Sequence, residues 1–426
     1  MRNHTRRKVL TTTGAATAFS LAGCIGDSDG SNGTTIETRY MDAPGIEDYF
    51  EEHTAAFEEE TGIHVEFETV GWGEAQDTLM SDITSRTGPD VQEIASTWIP
   101  EQYDANGWMD LESDEVVDHI PDTGMFEDGA MDVATFQDTL VGIPWFWGPR
   151  AWQQVDEEVE AGDVAGHPED WDGLVDQAQA YDGDNHLFAL MGSDYEPMRN
   201  FAMFLWQSGG QLLTDDNSEP AFHNEAGVQA LQFYADLYAE YDVLDSETVE
   251  WAAADINGAF AGGQMASTID ALGTVGAYEE EDGQSLDDLS ISAPPVGPDG
   301  DGGTFFGMEL LGIHPWTDEP EAAAQWIEYL LRAEPNAEIS STVGFLPTNP
   351  DGFDTEYFEH DVYQTFNDDV FPVAQTYPQV LGWGEIEGEL NRSVAEVIQN
   401  AVTGDLEEGD VQNALDDAAE VAHQTL

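Results

Sequence analysis

Beyond residue 8 the chain contains no lysine, and its 88 Asp and Glu face only 10 Lys and Arg in 426 residues. Four of those cations, Arg2, Arg6, Arg7 and Lys8, precede the first carboxylate, Asp27. From Cys24 onward six arginines stand against 88 carboxylates, a net charge of −82. Such a surface repels itself in dilute buffer and opposes compaction. In molar salt the Debye length falls to ~3 Å and that repulsion is silenced. Charge alone would favour disorder. Against it stand a hydrophobic content of 41% and 12 Trp, 13 Tyr and 20 Phe, enough to build a sizeable core. At roughly 150 residues per domain the length fits two or three domains. No basic patch is available for phosphate, so a nucleic-acid partner is not expected.

The first 23 residues read as an address. Thr5-Arg6-Arg7-Lys8-Val9-Leu10 resembles a twin-arginine export signal, and a weakly apolar run from Leu10 to Ala22 follows it. Leu21-Ala22-Gly23-Cys24 resembles a lipoprotein cleavage box, with the chain's one cysteine at the position that receives lipid. Residues 24–35 read as a flexible tether rich in Gly, Ser and Asp. A single cysteine forbids intramolecular disulfides. No later segment has 18 uninterrupted apolar residues, so no membrane-spanning helix is expected. These features place the protein on the outer face of the cell membrane, lipid-anchored after twin-arginine export. The complete loss of lysine beyond the leader resembles proteins of extreme halophiles, and the source implied is a halophilic archaeon.

The body reads as α/β. Ile36–Met41, Ile63–Val70 and Asp90–Ala95 have strand character, with helical periodicity over Ile46–Thr61 and Ala75–Arg86 between them. Gly62 is placed as the cap of the first helix. The βαβαβ pattern implies a parallel sheet covered by helices. Further helices are expected over 171–181, 197–207, 224–241, 320–331, 380–401 and 406–424. Three Gly/Pro-rich stretches read as crossings between lobes: Gly142–Pro149, Pro294–Gly303 and Gly344–Pro350. The expected division is an N-terminal lobe of 36–146 plus 300–348 and a C-terminal lobe of 147–299 plus 349–426. A ligand would enter between them, at the carboxyl ends of strands.

Catalytic motifs are missing from the sequence. It has no GxSxG, P-loop, HExxH or GxGxxG, and its ten histidines form no ligand pair. Asp-Gly-Asp at Asp182–Asp184 and Asp299–Asp301 does not extend to a calcium loop. No metal, cofactor or enzymatic activity is expected. The informative residues are aromatics beside strand ends and crossings: Trp72, Trp98, Trp145, Trp147 and Trp383. Flat aromatic faces suit pyranose rings, although ordinary packing is the competing reading for each. Two of the scarce arginines, Arg150 and Arg199, flank the same region, with ion pairing as their competing role. Glu309 lies in an apolar strand and needs a partner if buried.

An ordered set of short blocks carries a family resemblance. It runs through Phe57-Glu58-Glu59-Glu60-Thr61-Gly62-Ile63, Gly88-Pro89-Asp90-Val91 and Gly107-Trp108-Met109-Asp110-Leu111. It continues with Pro168-Glu169-Asp170-Trp171, Phe260-Ala261-Gly262-Gly263-Gln264-Met265 and Leu346-Pro347-Thr348. Together these resemble the extracellular solute-binding proteins of family 1, the sugar-binding components of ABC importers. The resemblance implies a two-lobed periplasmic-binding-protein-like fold with a hinge and an interlobe cleft. It places Tyr195 and Glu196 in a ligand segment and Trp383 at a late-helix stacking position. The segment from Gly263 to Asp270 runs on to Ala271-Leu272-Gly273, where the family usually supplies a stacking tryptophan, which makes maltodextrin a poor fit.

The expected function is therefore capture of a mono- or oligosaccharide and its delivery to ABC permease subunits, by a monomer without a cofactor. Trp98, Trp147 and Trp383 would stack on the sugar, while Glu196, Arg199, Asp270 and Glu309 bond its hydroxyls. The same fold could instead bind a peptide, a polyol phosphate or another anion through Arg150 and Arg199. An exported glycoside hydrolase and a purely structural surface protein are alternatives of other classes. Charge repulsion makes one prediction independent of function. The Tm followed by circular dichroism should rise from dilute buffer to molar KCl, and a salt-independent Tm would remove the electrostatic argument.

Overall fold

The computed structural model describes residues 33–113, 115–126, 128–298 and 302–426. The leader, the Cys24 attachment site and all but the end of the tether lie outside the described residues. The strands, in chain order, are β1 (Thr35–Met41), β2 (His64–Val70), β3 (Val91–Ala95), β4 (Thr135–Phe136), β5 (Thr139–Leu140), β6 (Ile143–Pro149), β7 (Ala151–Val155), β8 (His186–Ala189), β9 (Met265–Asp270), β10 (Leu289–Ser292), β11 (Thr304–Ile313), β12 (Leu346–Pro347) and β13 (Ala374–Gln375).

Two main sheets organise them. The larger has the order β12-β6-β11-β3-β1-β2, with β13 paired to β11; the smaller has the order β10-β7-β9-β8. β1 pairs with β2 and β3 in parallel, as the βαβαβ pattern requires, and β11 runs antiparallel to β3 and β6. The helix Ile46–Thr61 turns Tyr49, Phe50, His53 and Phe57 inward, and Gly62 ends it at φ 77°. That left-handed value is one glycine adopts without a Cβ penalty. On the larger sheet the core is aromatic: Tyr40 stacks on Phe50 at 3.8 Å, and the Trp326 indole donates to the Tyr40 hydroxyl at 2.6 Å. The smaller sheet is packed by the helices Glu196–Gln207, Glu225–Ala239, Trp383–Thr403 and Asp410–Thr425.

The crossings sit close together. β6 leads into β7 through Arg150, whose N–H donates to Phe305 O at 2.9 Å while Thr304 Oγ1 donates to Arg150 O at 2.7 Å. β13 adds a third segment beside the start of β11, with Thr304 opposite Ala374 and Phe305 opposite Gln375. This corrects the expected boundaries in two places. Residues 147–149, assigned above to the C-terminal lobe, are the end of β6 and pair with β11. The stretch 344–350 is no crossing, because Leu346 and Pro347 pair with Trp147 and Phe146 in the larger sheet. The segment after it straddles both sheets. Phe371 packs on Trp147 at 4.1 Å, and the Tyr363 hydroxyl donates to Glu279 at 3.2 Å.

At the edge far from the crossings, His314 is fully buried between two indoles. Trp108 stacks on it at 4.6 Å and Trp316 at 4.1 Å, and Nδ1–H donates to Gly107 O at 2.7 Å. Burial disfavours the imidazolium and pushes His314 down to about 4. The unfolded chain takes up that proton below ~6.5. The associated stability is therefore complete above pH ~6.5 and is lost as pH falls toward 4, by about 3 kcal/mol in total. Denaturant unfolding between pH 7 and 4.5 should show this slope, and His314→Phe should flatten it.

Candidate functional site

The carboxyl ends of β1, β2 and β3 open toward one edge of the larger sheet. Trp72 begins the helix Trp72–Ser85 directly after β2, and Trp98 ends the short turn that follows β3. Because these parallel strands are neighbours of β1, the two indoles meet edge to face, 5.9 Å apart at 63°. Trp72 is 46% exposed and Trp98 is half-buried, so the corner shows aromatic face to solvent. Tyr195, 45% exposed, precedes the helix Glu196–Gln207. A hydrogen bond links a helix beside the larger sheet to one on the smaller. Gly382 N–H, at the start of the helix Trp383–Thr403, donates to Glu101 Oε1 at 3.1 Å. Gly382 holds φ 79°, and a Cβ there would lie 2.3 Å from Thr425.

Beneath Tyr195 lies a buried ionic cluster. Arg150 grips Glu196 with both guanidinium nitrogens, at 2.5 and 3.0 Å, and Arg199 adds a third contact at 2.6 Å. Both guanidinium groups lie over the Phe305 ring, at 5.8 and 5.6 Å. Burial pushes the Glu196 carboxyl up, but the two guanidinium groups more than offset it and hold it at about 2. Glu387, four residues after Trp383 on the same helix face, is pushed up to about 7 by burial, with Arg199 opposing. Tyr377 lies between, 4.9 Å from Phe305 and 5.3 Å from Trp383.

The structure thus brings together Trp72 with Trp98, and Arg150 with Glu196 and Arg199. It treats the other expected residues differently. Trp145 is fully buried against Tyr40 and Phe146, at the register shift where Glu309 and Leu310 face Phe146 and Pro144. Trp147 is 4% exposed, and its indole donates to Pro347 O at 3.0 Å. Trp383 is 1% exposed and packs on Tyr377. Asp270 has both oxygens engaged, by Ala271 N–H at 2.8 Å and the Thr274 hydroxyl at 2.9 Å, so it supports the start of a helix. Glu309 is buried beside Glu93 in the larger sheet. Here packing wins over the stacking and hydroxyl-bonding roles expected of these five. Sequence reading missed Glu93, Glu101, Tyr377 and Glu387. Only Glu387 carried a signal, its i+4 spacing from Trp383; among so many carboxylates the others were indistinguishable.

A cavity of about 750 Å³ lies elsewhere, between the helices Trp171–Ala180 and Glu225–Ala239, and touches none of these residues. Among the described residues no group of three or more His, Cys, Asp or Glu could hold a metal ion. Nor is any described helix long and apolar enough to cross a membrane.

Two α/β sheets bridged by adjacent crossing segments, with solvent-facing aromatics at strand ends, define a two-lobed binding-protein fold. The chain belongs to the bacterial extracellular solute-binding proteins, whose family profile matches residues 52–364. A binding protein of Brucella abortus (strain 2308) is 24% identical over 383 residues, covering 89% of this chain and 90% of that one. Among solved structures, the sugar-binding protein MalE of Xanthomonas citri superposes with a TM-score of 0.79 at 20% identity, covering 92% of this chain and 98% of that one. Maltose-bound MalE3 of T. maritima superposes with a TM-score of 0.77 at 20% identity, covering 91% and 99%.

The ionic cluster makes a graded prediction. Arg150→Met removes the fork from a buried carboxylate and should cost ~3–5 kcal/mol. Arg199→Gln leaves the Arg150 fork intact, and its partly exposed contact should cost about 1 kcal/mol or less. Urea unfolding in molar KCl measures both.

Proposed function

We propose that this protein is the substrate-binding receptor of an ABC importer, that it captures a neutral saccharide, and that the Trp72–Trp98 corner forms the stacking platform. The single observation carrying this reading is that corner, two partly exposed indoles meeting at the carboxyl ends of β2 and β3. Support comes also from the neighbours in fold, one a sugar-binding protein and another bound to maltose. The leader and Cys24 support twin-arginine export followed by lipid anchoring on the outer face of the membrane of a halophilic archaeon. Such a receptor acts as a monomer and hands its ligand to permease subunits. The ligand shifts an open–closed equilibrium about the crossings near Arg150, Thr304 and Ala374.

An anionic ligand is the weaker reading for a specific reason. Arg150 and Arg199 already share Glu196, and Asp270 and Glu387 add negative potential beside them. No guanidinium in this cluster is left without a carboxylate. A neutral ligand avoids competing with these pairs.

The test is a titration of the full chain in molar KCl with neutral mono-, di- and trisaccharides, peptides and sugar phosphates, followed by tryptophan fluorescence. A saturable response at one site per chain is expected for a neutral sugar, with Trp98→Ala weakening it about tenfold or more. Saturation by an anion or peptide alone would overturn the sugar reading. Recovery of the sugar intact after long incubation is expected of a receptor, and cleavage products would indicate a hydrolase.

A further inference from the structure

Glu93 on β3 and Glu309 on β11 lie on adjacent antiparallel strands, where Ala95 pairs with Glu309 and Leu311 with Glu93. Strand alternation puts both side chains on one face of the sheet. They are 1% and 7% exposed. Met41 N–H donates to Glu93 Oε2 at 2.7 Å, and Glu309 Oε2 has no partner. The titratable groups packed around this face are all otherwise engaged. Tyr40 of β1 accepts the Trp326 indole N–H, and Tyr49 and His53 of the helix Ile46–Thr61 bond Pro335 O and the Tyr329–Glu338 pair. Arg39, next to Tyr40 and on the opposite face of β1, is taken by Glu68 and Asp82. Among the described residues no arginine or histidine forms an ion pair with either glutamate. Two like charges buried side by side without a cation are too costly to persist.

We propose that Glu93 and Glu309 share a single proton, taken from solvent on folding, and that this carboxylic acid–carboxylate bond positions the strand ends carrying the ligand platform. The connections are short. Glu93 holds Met41 at the end of β1, and the next N–H, of Asp42, donates to Val70 O at 2.8 Å, two residues before Trp72. Glu93 itself precedes the Ser96–Trp98 turn by three residues. Both indoles of the corner therefore hang from strand ends joined at the carboxyl pair. Glu93 and Glu309 are positioning residues, with no ligand contact. The inference rests on the corner being the ligand platform, but its test uses no ligand, so either reading can fail alone.

Burial raises both carboxyls and the charge of Glu93 raises Glu309 further, so the last proton of the pair is held well above the usual carboxylate range. A carboxyl raised in the folded state stabilises fully below the unfolded carboxyl range, and that stability is lost as pH rises through the pair's raised titration. The experiment follows the full chain in molar KCl from pH 6 to 9, in a Glu387→Gln background because Glu387 titrates near 7. Three signals are read: Tm, the infrared band of a protonated carboxyl, and the near-ultraviolet circular dichroism of the Trp72–Trp98 pair, identified by its loss in Trp72→Leu. The expected result is a Tm several degrees lower at pH 9 than at pH 7. The infrared band should disappear and the tryptophan signal change with the same midpoint. Glu93→Gln and Glu309→Gln each remove the partner charge and should move the midpoint of all three profiles, and the double Gln variant should flatten them. A protonated-carboxyl band missing at pH 7, or Gln variants that keep the original midpoint, would overturn the shared proton. A titrating Tm with an unmoved tryptophan signal would overturn the positioning role.

Discussion

The fork of Arg150 on Glu196 is the contact on which the arrangement of the two sheets most depends. Arg150 is the residue at which the chain leaves the larger sheet for the smaller, and its backbone is bonded to Thr304 and Phe305 at the start of β11. Its side chain reaches the first turn of the helix Glu196–Gln207, which packs the smaller sheet. One residue thus ties two crossings to the helix below Tyr195. Buried ion pairs contribute little net stability but are costly to break from one side. Such a contact is suited to fixing where a pivot lies, and ill suited to adding much stability.

Around that pivot the molecule keeps polar and aromatic surfaces apart. The exposed indoles stand on the parallel end of the larger sheet, while Trp145, Trp147 and Trp383 have been drawn into packing. The hydrogen bond that Gly382 N–H donates to Glu101 places a carboxylate at the amino end of a 21-residue helix, where the helix dipole favours it. Exchange of that contact for water is a small change in free energy.

Much of the fold was legible because local signals agreed with the global pattern. The helix Ile46–Thr61 is read from periodicity and Gly62 with no error at either end, and β1, β2 and β3 fall within a residue of their expected starts. The two-lobed fold follows the ordered family blocks and stands among its structural neighbours. Side-chain direction was not legible. Trp145 and Trp147 alternate in a strand that is buried on both faces, so neither parity nor the flanking Gly and Pro distinguishes cleft from core. Glu93 and Glu309 acquire meaning only from β11 pairing across more than two hundred residues of chain. The acidic composition hides such pairs, since a functional carboxylate and a hydrating one look alike in the sequence.

The scarcity of cations also shapes how the folded chain meets a trypsin-like protease, which cuts after arginine and lysine. Of the six arginines beyond Cys24, Arg39 lies in β1, Arg150 is buried at the crossing, and Arg199 and Arg392 lie within helices. Arg332 is bonded twice to Glu60 at the start of the helix Ala333–Val343. Only Arg86 stands in an exposed left-handed turn, at φ 53°, followed by Thr87 and Gly88. Exposed turns of this kind are where nicking concentrates. Among the described residues the arginine bond most open to such a protease is therefore Arg86–Thr87, between the helix that begins at Trp72 and the strand that leads to Trp98. That bond reports on the integrity of the aromatic corner from outside it.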